Sequence, residues 1–226
     1  RAMKSPLFLI IICSLLIIQI SHSQPCTPAV SGASMSINNV EAYFLNGGDM
    51  WWDFNSARYE VPAGSGKSPF FSNSLWLTGI DESDSLHCAA VRYRQVGNDY
   101  WPGPIFTDGE GNNFTNCGPF DRHWSVQKSD IDAFLSGQAP TEAIEQWPAK
   151  GNPNLSFPLN QSVAPFVDVN GDGIYVPDSG DYPSIKGDQA VFWVMNDIGN
   201  LHTESGGRQI GVEIHVMAYA YQANNV

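Results

Sequence analysis

Asp168, Asn170 and Asp172 alternate along the chain, and Gly173 follows at once. Asp178, Asp181 and Asp188 come within the next sixteen residues. Alternating oxygen-bearing side chains ahead of a glycine suit a hard cation: the first, third and fifth residues turn inward around the ion, and the glycine permits the sharp bend. Numbered from Asp168, the stretch matches the first half of an EF-type loop, with the carbonyl of Ile174 in the seventh position. The second half departs from that pattern. Ser179 stands where a bidentate acid should close the loop, with Asp178 and Asp181 on either side, and Pro165 and Pro177 disfavour flanking helices. The expectation is a calcium loop held by Asp168, Asn170, Asp172, Ile174 (through its carbonyl), Asp178 and Asp181. Magnesium is disfavoured, because nothing here suggests a rigid octahedral site. The competing reading is a metal-free acidic turn braced by its own Asx hydrogen bonds.

Other residue types offer less. Trp51, Trp52, Tyr100 and Trp101 could stack on a sugar, although aromatic residues of this kind more often pack a core. The run 64–68 (GSGKS) looks like a phosphate loop, but Val61 replaces its first glycine and Pro69 stands where a helix should begin, so it reads as a plain loop. His87, His123, His202 and His215 form no paired metal motif, and no G-x-S-x-G elbow occurs. Carboxylates are too numerous for their presence to mark a glycosidase pair.

The 226 residues carry a net charge of −12. Residues 1–4 are basic and residues 7–18 almost wholly apolar, and Ser21 and Ser23 offer the small residues of a cleavage site. That layout predicts a secretory signal over 1–23 and a mature module over 24–226. Its removal takes away Arg1 and Lys4 and no acid, moving the charge from −12 to −14. So acidic a surface repels nucleic acid, and no second apolar run is long enough to insert the mature chain in a membrane. Cys26, Cys88 and Cys117 remain, and export permits one disulfide among three pairings.

The positioning elements read as β. Glycine, proline and aromatic residues abound while helix-forming runs are missing. Strands are expected over 37–45, 50–54, 59–61, 70–80, 86–96, 124–126, 189–196 and 210–222, with 70–80 and 86–96 forming a hairpin and 189–196 buried on both sides. A helix is expected over 129–135, capped by Ser129, and a helical turn over 141–146. Residues 24–36 read as an irregular lead-in and 97–119 as a long loop. The fold expected is all-β and sandwich-like, with long ordered loops and one short helix, and the domain is expected to continue past Val226.

The blocks NNVEAYFLNGGDMWWD, YEVPAGSGKSPFFSNSLWLTGID, YRQVGNDYWPGP, CGPFDRHWSV, APFVDVNGDGIYVPDSGDYPSIKGDQAVFWVMND and HTESGGRQIGVEIHVMAYAY span most of 38–221. Together they resemble the N-terminal region of large exported surface proteins of Bacteroidetes, of the kind that end in a type IX secretion sorting domain. The resemblance implies export across the outer membrane and display or release, and implies no catalytic residues. It also implies O-glycosylation at Asp-Ser/Thr-apolar sites, which Asp84-Ser85-Leu86 fits at Ser85. Cys88 departs from it, standing where an apolar residue is expected. The expected function is a non-enzymatic, calcium-stabilised secreted or cell-surface module, structural or adhesive, with surface proteins or glycans as partners. The alternatives are a carbohydrate-binding module and a hydrolase with an unrecognised carboxylate site.

Overall fold

The computed structural model describes residues 26–223, and the expected signal segment lies outside them. In chain order, β1 (Gly32–Met35), β2 (Glu41–Leu45), β3 (Asp49–Met50), β4 (Tyr59–Glu60) and β5 (Asn73–Ser74) form one antiparallel sheet. β6 (Trp76–Ile80) and β7 (Leu86–Ala90) make a hairpin. β8 (Trp101–Pro102) is followed by a small ribbon of β9 (Ile105–Thr107) and β10 (Asn113–Thr115). β11 (Trp124–Gln127) leads into helices α1 (Lys128–Leu135) and α2 (Glu142–Glu145). β12 (Phe166–Val167) and β13 (Tyr182–Pro183) bracket the acidic loop. The central sheet is β11, then β14 (Gln189–Asn196), then β15 (Glu213–Ala220), with β8 also pairing β14. The fold is all-β.

All eight residues of β14 are buried, so this strand is the axis of the core. A pleated strand sends alternate side chains to opposite faces. On one face Val191 and Trp193 meet Ala42 and Phe44 of the first sheet, which makes the two sheets face each other. On the other, Phe192 and Val194 pack with Trp124, Trp147, Tyr175 and Ile144, where the helices and the acidic loop form a third layer. Met195, at the far end, joins Ala89, Val91 and Tyr100 beneath the hairpin. An apolar run without alternation is what a strand covered on both sides requires.

Several boundaries differ from expectation. The lead-in contains β1, in register Gly32↔Leu45 to Met35↔Ala42, whose core-facing pattern is only Ala33 and Met35. Residues 59–61 pair mainly with β2, through β4, rather than with 50–54. The 86–96 strand stops at Ala90, and Arg94 adopts φ 60°. The expected loop over 97–119 holds three short strands. Helix α1 starts one residue early, on a capping box in which Asp130 accepts the Gln127 N–H, so Gln127 and not Ser129 is its cap, and Leu135 is exposed. Cys26 and Cys117 form a disulfide, and Cys88 is free and half-buried.

Candidate functional site

The acidic loop begins as β12 ends. Asp168 accepts the Gly171 N–H on Oδ1 and the Gly173 N–H on Oδ2, both at 2.7 Å. Asn170 Oδ1 accepts the Asp172 N–H at 3.1 Å, and Asp172 Oδ1 accepts the Ile174 N–H at 2.8 Å. These successive Asx turns wind the chain into a coil. Gly171 at φ 76° and Gly173 at φ 78° occupy the left-handed region that side chains resist. The Asn170 amide donates to Asp172 Oδ2 at 2.8 Å, which places those two side chains together. Each of these carboxylate oxygens has further lone-pair capacity, so the first half of the loop fits a hard cation.

The closing acids behave differently. Asp181 is fully buried and accepts the Val169 N–H on one oxygen and the Val176 N–H on the other, both at 2.8 Å. It clasps the two ends of the loop, a different job from the ligand role expected of it. Asp178 is exposed on a short 3₁₀ turn over Pro177–Ser179. Among the described residues no three Asp, Glu, His or Cys side chains converge as a metal cluster. The loop is anchored to the third layer by Tyr175, whose N–H donates to Lys150 O and whose hydroxyl donates to Ile144 O at 2.6 Å. Burial pushes the Tyr175 phenol well above its ordinary range.

A second acidic cluster went unread in the sequence. Asp197, immediately after β14, accepts the N–H groups of Ile210, Gly211 and Val212. Asp99 accepts those of Ala90, Glu204 and Ser205. Glu204 accepts the Val96 and Gly97 N–H groups, while Arg92 Nε donates to its other oxygen at 2.7 Å. Gly97 is required here, since a Cβ would lie 2.3 Å from the Thr203 carbonyl carbon. Between these acids sits His202, whose Nδ1 donates to Cys88 O at 2.6 Å and whose ring lies against Trp101 at 5.8 Å. The histidine that looked isolated in sequence is therefore the centre of a buried polar hub. Of its partners, Asp197 stands five residues away, while Asp99 and Cys88 are too far away in the chain for spacing to reveal.

The four aromatics that could stack on a sugar do not share a surface. Tyr100 and Trp101 are 0% and 2% exposed and belong to the core. Trp52 is buried under a ring of exposed aromatics, with Phe54, Phe71 and Tyr93 at centroid distances of 5.2, 6.3 and 6.2 Å. Trp51 packs with Tyr59 and exposed Phe70 at 4.8 and 5.2 Å. Trp51 and Phe54 have φ of 70° and 67°, rare for bulky residues, and Arg94 lies over Tyr93 at 5.3 Å. Beneath them Asp49 accepts the Trp52 indole N–H at 2.9 Å and leaves Oδ2 without a partner. Burial pushes its carboxyl up to about 7, opposed by the Trp52 hydrogen bond and reinforced by the Glu204 charge.

Cavities of 420, 350 and 340 Å³ are lined without Asp, Glu or His, and a smaller one of 220 Å³ is lined by Asp81 and His87 among others. Ser85 lies in the exposed turn between β6 and β7, where its N–H donates to Asp81 and its hydroxyl meets that of Ser83 at 3.1 Å. No described helix is long and apolar enough to cross a membrane. No family model matches the chain, and neither a curated protein nor a solved structure matches it.

Proposed function

We propose that this chain is a non-enzymatic module of the cell exterior, structural or adhesive, exported by a signal sequence and stiffened by calcium in its 168–174 coil. One observation carries the reading. The buried acids Asp99, Asp181, Asp197 and Glu204 each bind backbone N–H groups from segments that lack regular structure, Asp99 also one from β7. Acids used this way turn long loops into fixed scaffold, which a displayed module needs and an acid–base site does not. Calcium on Asp168, Asn170, Asp172 and the Ile174 carbonyl would extend the same device, and millimolar extracellular calcium tolerates weak sites. Thermal unfolding with calcium and with chelator tests it. A ligand confined to the folded state stabilises by about 2.7 kcal/mol at a hundredfold excess over Kd. The expected result is a rise in Tm that Asp168→Asn and Asp172→Asn each abolish. An unchanged Tm at millimolar calcium removes the calcium reading.

A second reading, carbohydrate binding, is favoured by the aromatic ring over Trp52. Phe54, Phe71 and Tyr93 are about half exposed, and two neighbouring bulky residues hold left-handed backbone. Strain of that kind collects at binding sites. Glycan-array binding that disappears in Phe71→Ala and Tyr93→Ala supports this reading; a blank array for the wild-type chain counts against it.

A further inference from the structure

The β6–β7 hairpin has one covered edge and one open edge. On the β7 side the Cys88 N–H donates to Arg208 O at 3.1 Å, and His87 bridges Arg208, so a neighbouring segment closes that edge. Within the hairpin, the Asp81 N–H donates to Ser85 O and the Val91 N–H to Leu75 O. With the register Trp76↔Ala90 to Ile80↔Leu86, those bonds fix the odd residues 75, 77, 79 and 81 as the ones bonded to β7. The N–H and C=O groups of Trp76, Thr78 and Ile80 therefore point away from β7, along an edge that pairs with no other described strand.

The side chains of the same three residues share a face. Trp76 is 66% exposed and Ile80 70%, and Leu86, opposite Ile80, is 64% exposed. The Trp76 indole N–H already donates to Val91 O at 2.5 Å, so the ring offers an apolar surface with its one polar group satisfied. An exposed edge strand is ordinarily blunted by a lysine, a proline or a bulge, and WLTGI has none of these.

We propose that β6 pairs antiparallel with β6 of a second copy of this chain, about a two-fold axis at Thr78, joining two hairpins into one four-stranded sheet. The sequence of the strand is what selects a second copy. Centred on Thr78, the register sets Trp76 against Ile80 of the second copy, Ile80 against its Trp76, and Thr78 against its Thr78. Aromatic–β-branched and Thr–Thr pairs are both favourable across strands. The outward-facing N–H and C=O groups at 76, 78 and 80 then meet their counterparts in phase. Glu82, in the acidic turn, falls opposite Ser74, so no like charges are opposed. The interface is isologous, the symmetry of most homodimers. It does not depend on the calcium reading.

Sedimentation velocity on the folded chain, from about 1 to about 100 µM, the range expected of a small interface, reads the association. The wild type shifts from monomer to dimer with concentration. Thr78→Lys places two ammonium groups at the axis and weakens dimerisation about fivefold or more. It leaves the circular dichroism unchanged, because position 78 faces solvent in the monomer. Cysteine cross-linking reads the register in a Cys88→Ser background. Thr78→Cys gives a disulfide-linked dimer on mild oxidation, since directly opposed residues lie about 5.5 Å apart. Ile80→Cys does not, because its partner is Trp76. A wild type that stays monomeric throughout, a Thr78→Lys chain that dimerises as before through another surface such as β15, or equal cross-linking at 78 and 80, overturns the proposal.

Discussion

His202 Nε2 donates to the main-chain oxygen of Asp197 at 2.7 Å, and the Asp197 carboxylate in turn receives three amides from the segment leading to β15. The ring thus couples the end of β14 to the start of β15. Through Nδ1 it also couples both to β7. The Asp99 and Asp197 carboxylates lie 3.9 and 3.6 Å from the same ring nitrogens. His202→Phe keeps the contact with Trp101 and deletes both donors. The Asp197 carbonyl then loses this partner and the Cys88 carbonyl keeps the Ser205 hydroxyl, for a cost of about 1–3 kcal/mol in urea unfolding. A loss under about 1 kcal/mol would mean that the ring only fills space.

Two buried groups oppose each other in pH. Asp49 is pushed up to about 7, so the folded chain keeps a proton that the unfolded chain has released above about 4. Stability from this group falls as pH rises from about 4 to about 7, by up to about 4 kcal/mol. His123, with Nε2 unpartnered, is pushed down to about 4 by burial, so between about 4 and about 6.5 the unfolded chain binds the extra proton. Stability from this group rises with pH over that window, by about 3 kcal/mol. The two slopes nearly cancel in the wild type. Asp49→Asn exposes the rising profile and His123→Phe the falling one. Parallel urea midpoints for all three chains across pH 4–7 would contradict both assignments.

The Cys26–Cys117 bond closes a loop of sequence separation 91 and pins the first described residue beside Trp101. Chain-entropy reasoning assigns such a loop about 4–5 kcal/mol. Cys117→Ser is expected to lower Tm by about 10 °C, at about 2–4 °C per kcal/mol for a domain of this size. Cys88→Ser should leave Tm within a few degrees, because Cys88 has no bonded sulfur.

What the sequence discloses follows from the range of the forces involved. β14 is legible because a strand covered on both faces must be apolar throughout, and QAVFWVMN is nearly so. The hairpin and α1 are legible because their patterns are local. β1 is not, since only Ala33 and Met35 of GASM face the core, too short an alternation to stand out. The coil at 168–173 is legible because its Asx turns span two to five residues. The hub around His202 is not: Asp99 and Cys88 stand over 100 residues away, and an acid that binds backbone amides needs no motif in its partner. Tyr100 and Trp101 pack the core, the more usual place for such residues, and an aromatic pair looks the same in sequence whether the chain buries it or displays it.

Asp181 and Asp168 separate the two roles that acids play in the 168–181 loop. Asp181 is buried with both oxygens on amides, so in Asp181→Asn one of those amides faces an NH₂ donor instead of an acceptor. The expected cost is about 2–4 kcal/mol, the same with calcium or chelator, because it arises from a clasp that forms whatever the loop binds. Asp168 is half-buried, and Asp168→Asn still accepts one of its two amides. Its cost in chelator is about 1 kcal/mol, but the calcium-induced gain disappears. The two variants therefore differ in how their losses respond to calcium. If Asp181→Asn also abolished the calcium response while leaving chelator stability intact, Asp181 would be a ligand after all, and the clasp would be the part to discard.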